Sequence, residues 1–101
     1  DPIVRIGKEI TFNDAWLVEL IRRLRPVIEE EIAKIPEPRE RYRVMREIEK
    51  KLLTDMKFLL QYIDKYLEKY GWKIDSATVF IKKMRVCIEE YLEWQRRGGV
   101  L

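Results

Sequence analysis

The sequence predicts an all-α fold, an up-down-up three-helix bundle that forms one domain over residues 1–101. Apolar residues recur every three or four positions along three segments, which is the period of amphipathic helices. Proline and glycine separate these segments at Pro36, Pro38 and Gly71, where helices are expected to end and begin. The expected elements are an N-terminal segment at 1–12 and helices at 13–35, 38–70 and 75–97.

The first twelve residues differ from the rest because apolar and polar residues alternate on both sides of Gly7-Lys8. Alternation is typical of strands, and glycine in the first position of a two-residue loop suits a type II′ turn. The alternating apolar residues are Val4, Ile6, Ile10 and Phe12. The segment is therefore expected to be either a short extended arm or a β-hairpin, and the sequence leaves both alternatives open.

The first helix is expected to begin at Asn13, a residue type whose side chain caps helix N-termini. Its apolar stripe continues to Ile35, but Pro26 lies inside it. Proline removes one backbone hydrogen bond of a helix and disfavours helical geometry in the preceding residue. Because the stripe keeps its phase across the proline, we expect one helix kinked near residue 25. The alternative is a break into two helices.

The second helix is expected to run without interruption from Pro38 to Tyr70 and to stop at Gly71. A helix of this length would span roughly 50 Å, which exceeds the width of a compact domain of this size. We therefore expect it to extend beyond its neighbours and to leave apolar surface for a partner. Leu53 and Leu60 widen its apolar stripe, which also indicates more than one packing partner.

The third helix is expected to begin after Asp75 as N-cap. Ile74 and Val79 flank this start at the spacing of a hydrophobic contact across a helix N-terminus. Gly98-Gly99 ends the helix, because glycine readily adopts the left-handed conformation found there.

The composition is highly charged but balanced, with 39% charged residues and a net charge of +3. Abundant Ile, Leu, Glu, Lys and Arg with few amides resembles proteins of thermophiles, although a designed bundle would share this bias. No apolar run approaches the ~18 residues that a membrane span needs, and no signal-peptide pattern is present. We therefore expect a cytoplasmic protein without a membrane partner.

The sequence carries no signature of a catalytic, cofactor-binding or metal-binding site. It has no histidine and no glycine-rich phosphate loop, and its single cysteine, Cys87, lies on an apolar stripe where a buried thiol is expected. We therefore expect a protein that is not an enzyme and binds no cofactor or metal. The favoured function is a helical protein-interaction or oligomerisation module, as a homodimer or with another protein, that uses helix 2 and the N-terminal segment.

The N-terminal part of helix 2 is the predicted protein-contact surface. It mixes arginines with large apolar and aromatic residues, which are enriched in protein interfaces. The glutamates at 29–31, across the short connection, can neutralise its charge and so disfavour a phosphate ligand. The candidate contact residues are Arg39, Arg41, Tyr42, Arg43, Val44 and Arg46.

The alternative function is a nucleic-acid-binding accessory protein. Later in helix 2, tyrosines that could stack on bases alternate with lysines that could bind phosphates, as single-stranded nucleic acid requires. These residues are Tyr62, Lys65, Tyr66, Lys69 and Lys73. Because helices 1 and 3 would run parallel, further cations are expected at one level as a basic belt. These are Arg22, Arg23, Arg25, Lys82, Lys83 and Arg85.

Overall fold

The computed structural model describes residues 2–6 and 9–99, which form a mostly helical body with one small sheet. Within these residues, five helices follow a two-stranded hairpin. The strands are β1 (Ile3–Ile6) and β2 (Glu9–Phe12), and the helices are α1 (Asp14–Arg23), α2 (Arg25–Ile32), α3 (Pro38–Thr54), α4 (Met56–Tyr70) and α5 (Ser76–Arg96). The predicted helical character is confirmed. The three-helix up-down-up bundle is not, because two of the three expected helices are each divided.

The first predicted helix divides at Leu24, two residues before Pro26. The amide of Leu24 donates to the carbonyls of Leu20 and Ile21 at 3.0 and 3.1 Å, which closes α1. Pro26 lies in the first turn of α2, where its missing amide hydrogen costs no helical bond. The expected single kinked helix is therefore wrong, and the alternative of a break is confirmed. Leu24 is fully buried, so the joint between α1 and α2 lies in the core.

The second predicted helix divides at Asp55, whose backbone is extended with φ −130° and ψ 102°. The Asp55 carboxylate accepts a hydrogen bond from the amide of Phe58 at 3.0 Å, which is the N-cap interaction of α4. The hydroxyl of Thr54 donates to the carbonyl of Lys50 at 3.2 Å, a side-chain bond that competes with the helical ladder. The prediction of one uninterrupted helix at 38–70 is therefore wrong. The apolar residues keep their helical period across Thr54 and Asp55, so the pattern did not reveal the break.

The division removes the predicted overhang. α3 has 17 residues and α4 has 15, which correspond to lengths of about 26 and 23 Å. The body is elongated, with principal extents of 48 × 30 × 21 Å. Neither helix is longer than the body, so helix length no longer indicates a surface for a partner.

α5 agrees closely with its prediction at both ends. The Asp75 carboxylate accepts a hydrogen bond from the amide of Thr78 at 2.9 Å, and Gly98 follows the helix with φ 75°, a conformation that favours glycine. The predicted contact between Ile74 and Val79 is wrong. These side chains are 95% and 59% exposed, because the connection from α4 directs Ile74 into solvent.

The N-terminal segment is a hairpin, with β1 and β2 antiparallel and Ile3 opposite Phe12. Opposite residues share a face of a hairpin, and this face packs on the helices. Ile3 is 5% exposed, and the Phe12 ring meets the Tyr91 ring edge-on at 5.1 Å between centroids. Val4, which the alternation grouped with Phe12, is 37% exposed. The predicted type II′ turn at 7–8 lies outside the described residues.

Two antiparallel helix pairs form the body. A short connection joins α4 to α5, and the Asp64 carboxylate on α4 accepts a hydrogen bond from Arg85 on α5 at 2.7 Å. A second connection joins α2 to α3, whose far ends come together where Arg25 approaches Glu49. The shared core is apolar and consists of Leu17, Leu20, Ile21, Leu24, Val27, Ile28, Leu52, Leu59, Tyr62, Ile63, Tyr66, Ile81, Met84 and Ile88.

Candidate protein-interaction surface

The start of α3 is held in place by its own capping residues and by α2. The Glu37 carboxylate accepts a hydrogen bond from the amide of Arg39 at 3.0 Å, and Pro38 occupies the first turn, where no amide donor is needed. The Arg41 guanidinium donates to the carbonyl of Ile35 at 2.9 Å. Arg41 therefore closes the connection after α2 and is not free to bind a partner through these nitrogens.

α3 presents one side to the core and an adjacent side to solvent. Leu52 is fully buried, while Met45 and Ile48 pack at the edge of the core. At 100° per residue, Tyr42 and Leu53 point in nearly the same direction, about a quarter turn away from Leu52. The solvent side of α3 therefore forms a continuous strip about three turns long.

We call the residues of this strip that line one surface groove, Tyr42, Arg46, Glu49 and Leu53, the α3 face. Tyr42 is 60% exposed and Leu53 is 44% exposed. Within the described chain, the Arg46 side chain makes no hydrogen bond or ion pair. The Glu49 carboxylate lies 3.9 Å from the Arg25 guanidinium, which is too long for a hydrogen bond. Among the described residues, the α3 face thus combines exposed apolar side chains with an exposed, unpaired cation and a half-buried anion whose only ion pair is with Arg25.

A second groove, between α1, α2 and α3, adjoins the α3 face at Leu53. Its apolar lining includes Val18, Ile21, Ile28 and Met45, and Val18 is 58% exposed. It encloses about 240 Å³, less than the roughly 300–1,000 Å³ of small-molecule pockets. Its size favours contact with a protein side chain over a small ligand.

The six predicted contact residues differ in their exposure and in the contacts that they make within the chain. Arg43 donates to Glu40 at 3.0 Å and to Glu47 at 2.5 Å, and its hydrogen bonds lower the pKa of Glu40. Tyr42 and Arg46 belong to the α3 face, whereas Arg39 is exposed outside it, and Arg41 and Val44 are half-buried.

Sequence reasoning missed two members of the α3 face, Glu49 and Leu53. Leu53 did carry a signal, since it widens the apolar stripe of the predicted helix beyond one face. Glu49 carried none, because a glutamate on a highly charged helix is usually a solvated side chain.

The tyrosines predicted to bind nucleic acid lie in the core. Tyr62 is 3% exposed and Tyr66 is 6% exposed, so neither ring can stack on a base in this conformation. The Tyr62 hydroxyl donates to the Glu31 carboxylate of α2, which also pairs with Lys65. Burial, together with the hydrogen bond to Glu31, raises the pKa of Tyr62. Burial also acts to raise the pKa of Glu31, but the hydrogen bonds from Lys65 and Tyr62 outweigh it and lower that pKa.

The other two predicted lysines of this segment, Lys69 and Lys73, make different contacts within the chain. Lys69 pairs with Glu30 of α2, and this hydrogen bond raises the pKa of Lys69. The Lys73 amine lies 5.2 Å from the Tyr70 ring centroid and 5.5 Å from that of Trp72. Trp72, which adjoins these predicted residues, is 77% exposed, while Lys65 and Lys69 are exposed and Lys73 is half-buried.

Two cations of the predicted basic belt, Arg23 of α1 and Lys83 of α5, lie over neighbouring aromatic rings. The Arg23 guanidinium lies 4.6 Å from the Phe80 ring centroid, and the Lys83 amine lies 5.9 Å from that of Trp16. These two rings stack on each other at 5.4 Å between centroids, so Arg23 and Lys83 flank one aromatic pair.

Most cations of the expected belt are also neutralised locally. Arg22 and Arg23 both donate to Glu19, at 2.6 and 2.7 Å, and these hydrogen bonds lower the pKa of Glu19 to about 2. Arg85 donates a hydrogen bond to Asp64, and Lys82 donates one to the carbonyl of Gly71. The Arg25 guanidinium lies 3.9 Å from the Glu49 carboxylate. These groups offer little concentrated positive charge to a phosphate backbone.

The described part of the chain offers few groups for other chemistry. Cys87 is half-buried rather than fully buried, and burial raises the pKa of its thiol, which disfavours the reactive thiolate. Within residues 2–6 and 9–99, no three acidic, cysteine or histidine side chains come together as a metal site would require. None of the described helices has the length and apolar character of a membrane span.

Comparison with known proteins adds no relative to this description. No protein-family model matches the chain, and neither a curated protein nor a solved structure matches it. Its function therefore has to be argued from the α3 face and the contacts around it.

Proposed function

We propose that this chain is a non-enzymatic helical interaction module that binds a protein, either a second copy or another chain, through the α3 face. The exposure of Tyr42 and Leu53 beside the unpaired Arg46 supports this proposal. Single exposed apolar residues are common, but these two lie on one side of α3, and Leu53 also lines the apolar groove beside it. Exposed apolar surface of this kind is found at interaction sites. Tyrosine and arginine are also the residues that most often dominate binding energy.

The sequence predicted that the N-terminal segment also binds the partner protein. In the structure, the hairpin formed by this segment packs against the helices of its own chain. Phe12 packs on Tyr91, Ile3 is buried, and Arg5 pairs with Glu90 of α5. The proposal therefore narrows to α3 and the adjoining groove.

The non-enzymatic part of the proposal has its own support. Catalytic acids and bases usually sit in clefts where burial and neighbouring charges shift their pKa values. Here the lowered carboxyl pKa values of Glu19, Glu40 and Glu93 belong to exposed ion pairs along single helices. The lowered pKa of Glu31 belongs to an ion pair and a tyrosine hydrogen bond that join α2 to α4. Such pairs stabilise helix surfaces and do not form a reaction site.

Site-specific photo-crosslinking tests the proposed surface. A photoreactive amino acid replaces Tyr42 in one variant and Val86 in a control, since Val86 is 63% exposed on α5. In the producing cells, light should give a discrete adduct from the position-42 variant and none from the position-86 variant. The adduct has either twice the mass of the chain or a different protein in it. Absence of an adduct at position 42, or equal adducts at both positions, would contradict the proposal.

Nucleic-acid binding is a second proposal, supported by the exposed Trp72 ring beside Lys73. A tryptophan can stack on a base while a lysine contacts the phosphate. Titration of labelled single-stranded and duplex oligonucleotides at increasing salt tests it, because phosphate contacts must weaken with salt. Binding that is lost in Trp72→Ala would support it, and no binding at low salt would exclude it.

A further inference from the structure

We infer that the occupant of the α3 face is a second copy of this chain, with the two α3 helices antiparallel about a two-fold axis. The inference rests on the proposed function and specifies its partner. It follows from the order and spacing of the four residues of the α3 face and, among the described residues, from the unpaired Arg46 and from Glu49, whose only ion pair is the 3.9 Å contact with Arg25.

The α3 face has the same spacing in both directions. Its members follow one another at intervals of four, three and four positions, in the order apolar, cation, anion, apolar. When such a strip meets an inverted copy of itself, each apolar residue meets an apolar residue and each charge meets the opposite charge. Tyr42 then faces Leu53 of the partner subunit, and Arg46 faces Glu49 of the partner subunit. A two-fold interface requires this self-complementarity, and it makes each contact occur twice.

The charges select the antiparallel arrangement. A parallel pair in register would place Arg46 against Arg46 of the partner subunit and Glu49 against Glu49 of the partner subunit, and juxtaposed like charges are strongly unfavourable. The nearby Arg43 already bonds Glu40 and Glu47 within its own helix. Within the α3 face, Arg46 and Glu49 therefore determine how two α3 helices can align, while the exposed Lys50 lies at the side of the same groove.

The adjoining groove provides a site for the partner's tyrosine. Val18 of α1 and Leu53 line the same groove, so the ring of Tyr42 of the partner subunit can contact apolar groups from two helices. Burial of an aromatic ring in a pocket rimmed by charges is a common arrangement of interface hot spots. A 17-residue helix pair buries less than the roughly 1,600 Å² of a standard interface, so we expect a weak dimer whose population rises with protein concentration.

Charge reversal tests the register. Arg46→Glu and Glu49→Arg should each weaken self-association about tenfold or more, because each places two like-charge pairs in the symmetric interface. The double variant R46E/E49R restores both pairs with reversed sign and should recover wild-type association within a few-fold. Sedimentation equilibrium at low salt measures the dissociation constants, and circular dichroism checks that each variant is folded. Single variants without effect, or a double variant that remains as weak as the singles, would overturn the register.

A second disruptive variant avoids the neighbourhood of Arg25, which an arginine at position 49 would approach. Tyr42→Glu places a carboxylate against the apolar site and should also abolish the dimer. A wild-type chain that stays monomeric at high concentration would overturn the inference. If that monomer still gives a photo-adduct with another protein at position 42, the proposed function stands while the inference fails. No adduct of any kind would reject both.

Discussion

α3 and α4 are consecutive amphipathic helices that both carry tyrosines and cations, yet their polar sides have different surroundings. In α4, Tyr62 is buried, and Lys65 and Lys69 pair with glutamates of α2. In α3, Tyr42 is exposed and Arg46 has no partner in the described chain. The two helices show that the packing of a neighbouring helix, and not the residue pattern, decides whether tyrosines and cations on a helix surface are paired within the chain or free to bind a partner.

α2 provides this difference because it contacts both helices with different residues. Towards α4 it presents Glu30 and Glu31, which accept hydrogen bonds from lysines and from Tyr62. Towards α3 it presents Ile28 and Ile32, which line the grooves beside that helix. Lys65 and Lys69 of α4 are thereby neutralised within the chain, while the side of α3 beyond the groove is left to solvent.

The largest expected effect is the contrast between two tyrosine truncations. Tyr62→Ala should lower the free energy of unfolding by about 3–5 kcal/mol, since it removes a buried ring and leaves a cavity. Tyr42→Ala should change it by less than about 0.5 kcal/mol, because exposed side chains contribute little. Urea denaturation at a concentration too low for association measures both. If both variants lost a similar amount of unfolding free energy, the contrast between a buried Tyr62 and an exposed Tyr42 would be wrong.

A substitution at the boundary between α3 and α4 should have an intermediate effect on stability. Asp55→Ala removes the side-chain cap of α4 and should destabilise the protein by about 1 kcal/mol. Asp75→Ala, which removes the corresponding cap of α5, is the matched control and should have a similar cost. A stabilising Asp55→Ala would show that a continuous helix from α3 to α4 is the preferred conformation.

The smallest effect concerns the Glu31 ion pair and its dependence on pH. The pKa of Glu31 is lowered in the fold from its ordinary value of 4.5, so the ionised form stabilises the folded state. This stabilisation is present above pH 4.5 and is lost as the pH falls through the folded pKa. Because Glu31 is partly exposed, Glu31→Gln should cost less than about 1 kcal/mol at pH 7.

The difference in unfolding free energy between wild type and Glu31→Gln should therefore shrink as the pH falls below 4.5. Glu29→Gln serves as the control, since the Glu29 side chain is exposed and makes no ion pair in the described chain. A difference for Glu31→Gln that is constant across this range would argue against the ion pair.

Local signals explain which parts of the fold the sequence could predict. The caps at Asn13 and Asp75 form as expected, because they depend on neighbouring residues alone. The break at Asp55 is also local, but the apolar period runs through it and outweighed the capping signal. At Pro26 the residue type marked the interruption without deciding between a kink and a break.

The candidate site was predictable only in part. Tyr42 and Arg46 stood out by residue type, whereas Tyr62 is buried in the core and its hydroxyl bonds Glu31, which is 31 positions away. The Lys69–Glu30 pair is separated by 39 positions. Pairings at this distance follow from the packing of α2 on α4, which depended on where the long predicted helix divides.

Sedimentation equilibrium of Leu53→Glu beside Val86→Glu tests most directly whether the α3 face is the interaction surface. Both residues are exposed, at 44% and 63%, so neither substitution should unfold the chain, as circular dichroism can verify. The account predicts that Val86→Glu self-associates like the wild type and that Leu53→Glu is monomeric at the same concentrations. If the wild type associates and Leu53→Glu associates equally well, the α3 face is not the contact surface and the central claim is wrong.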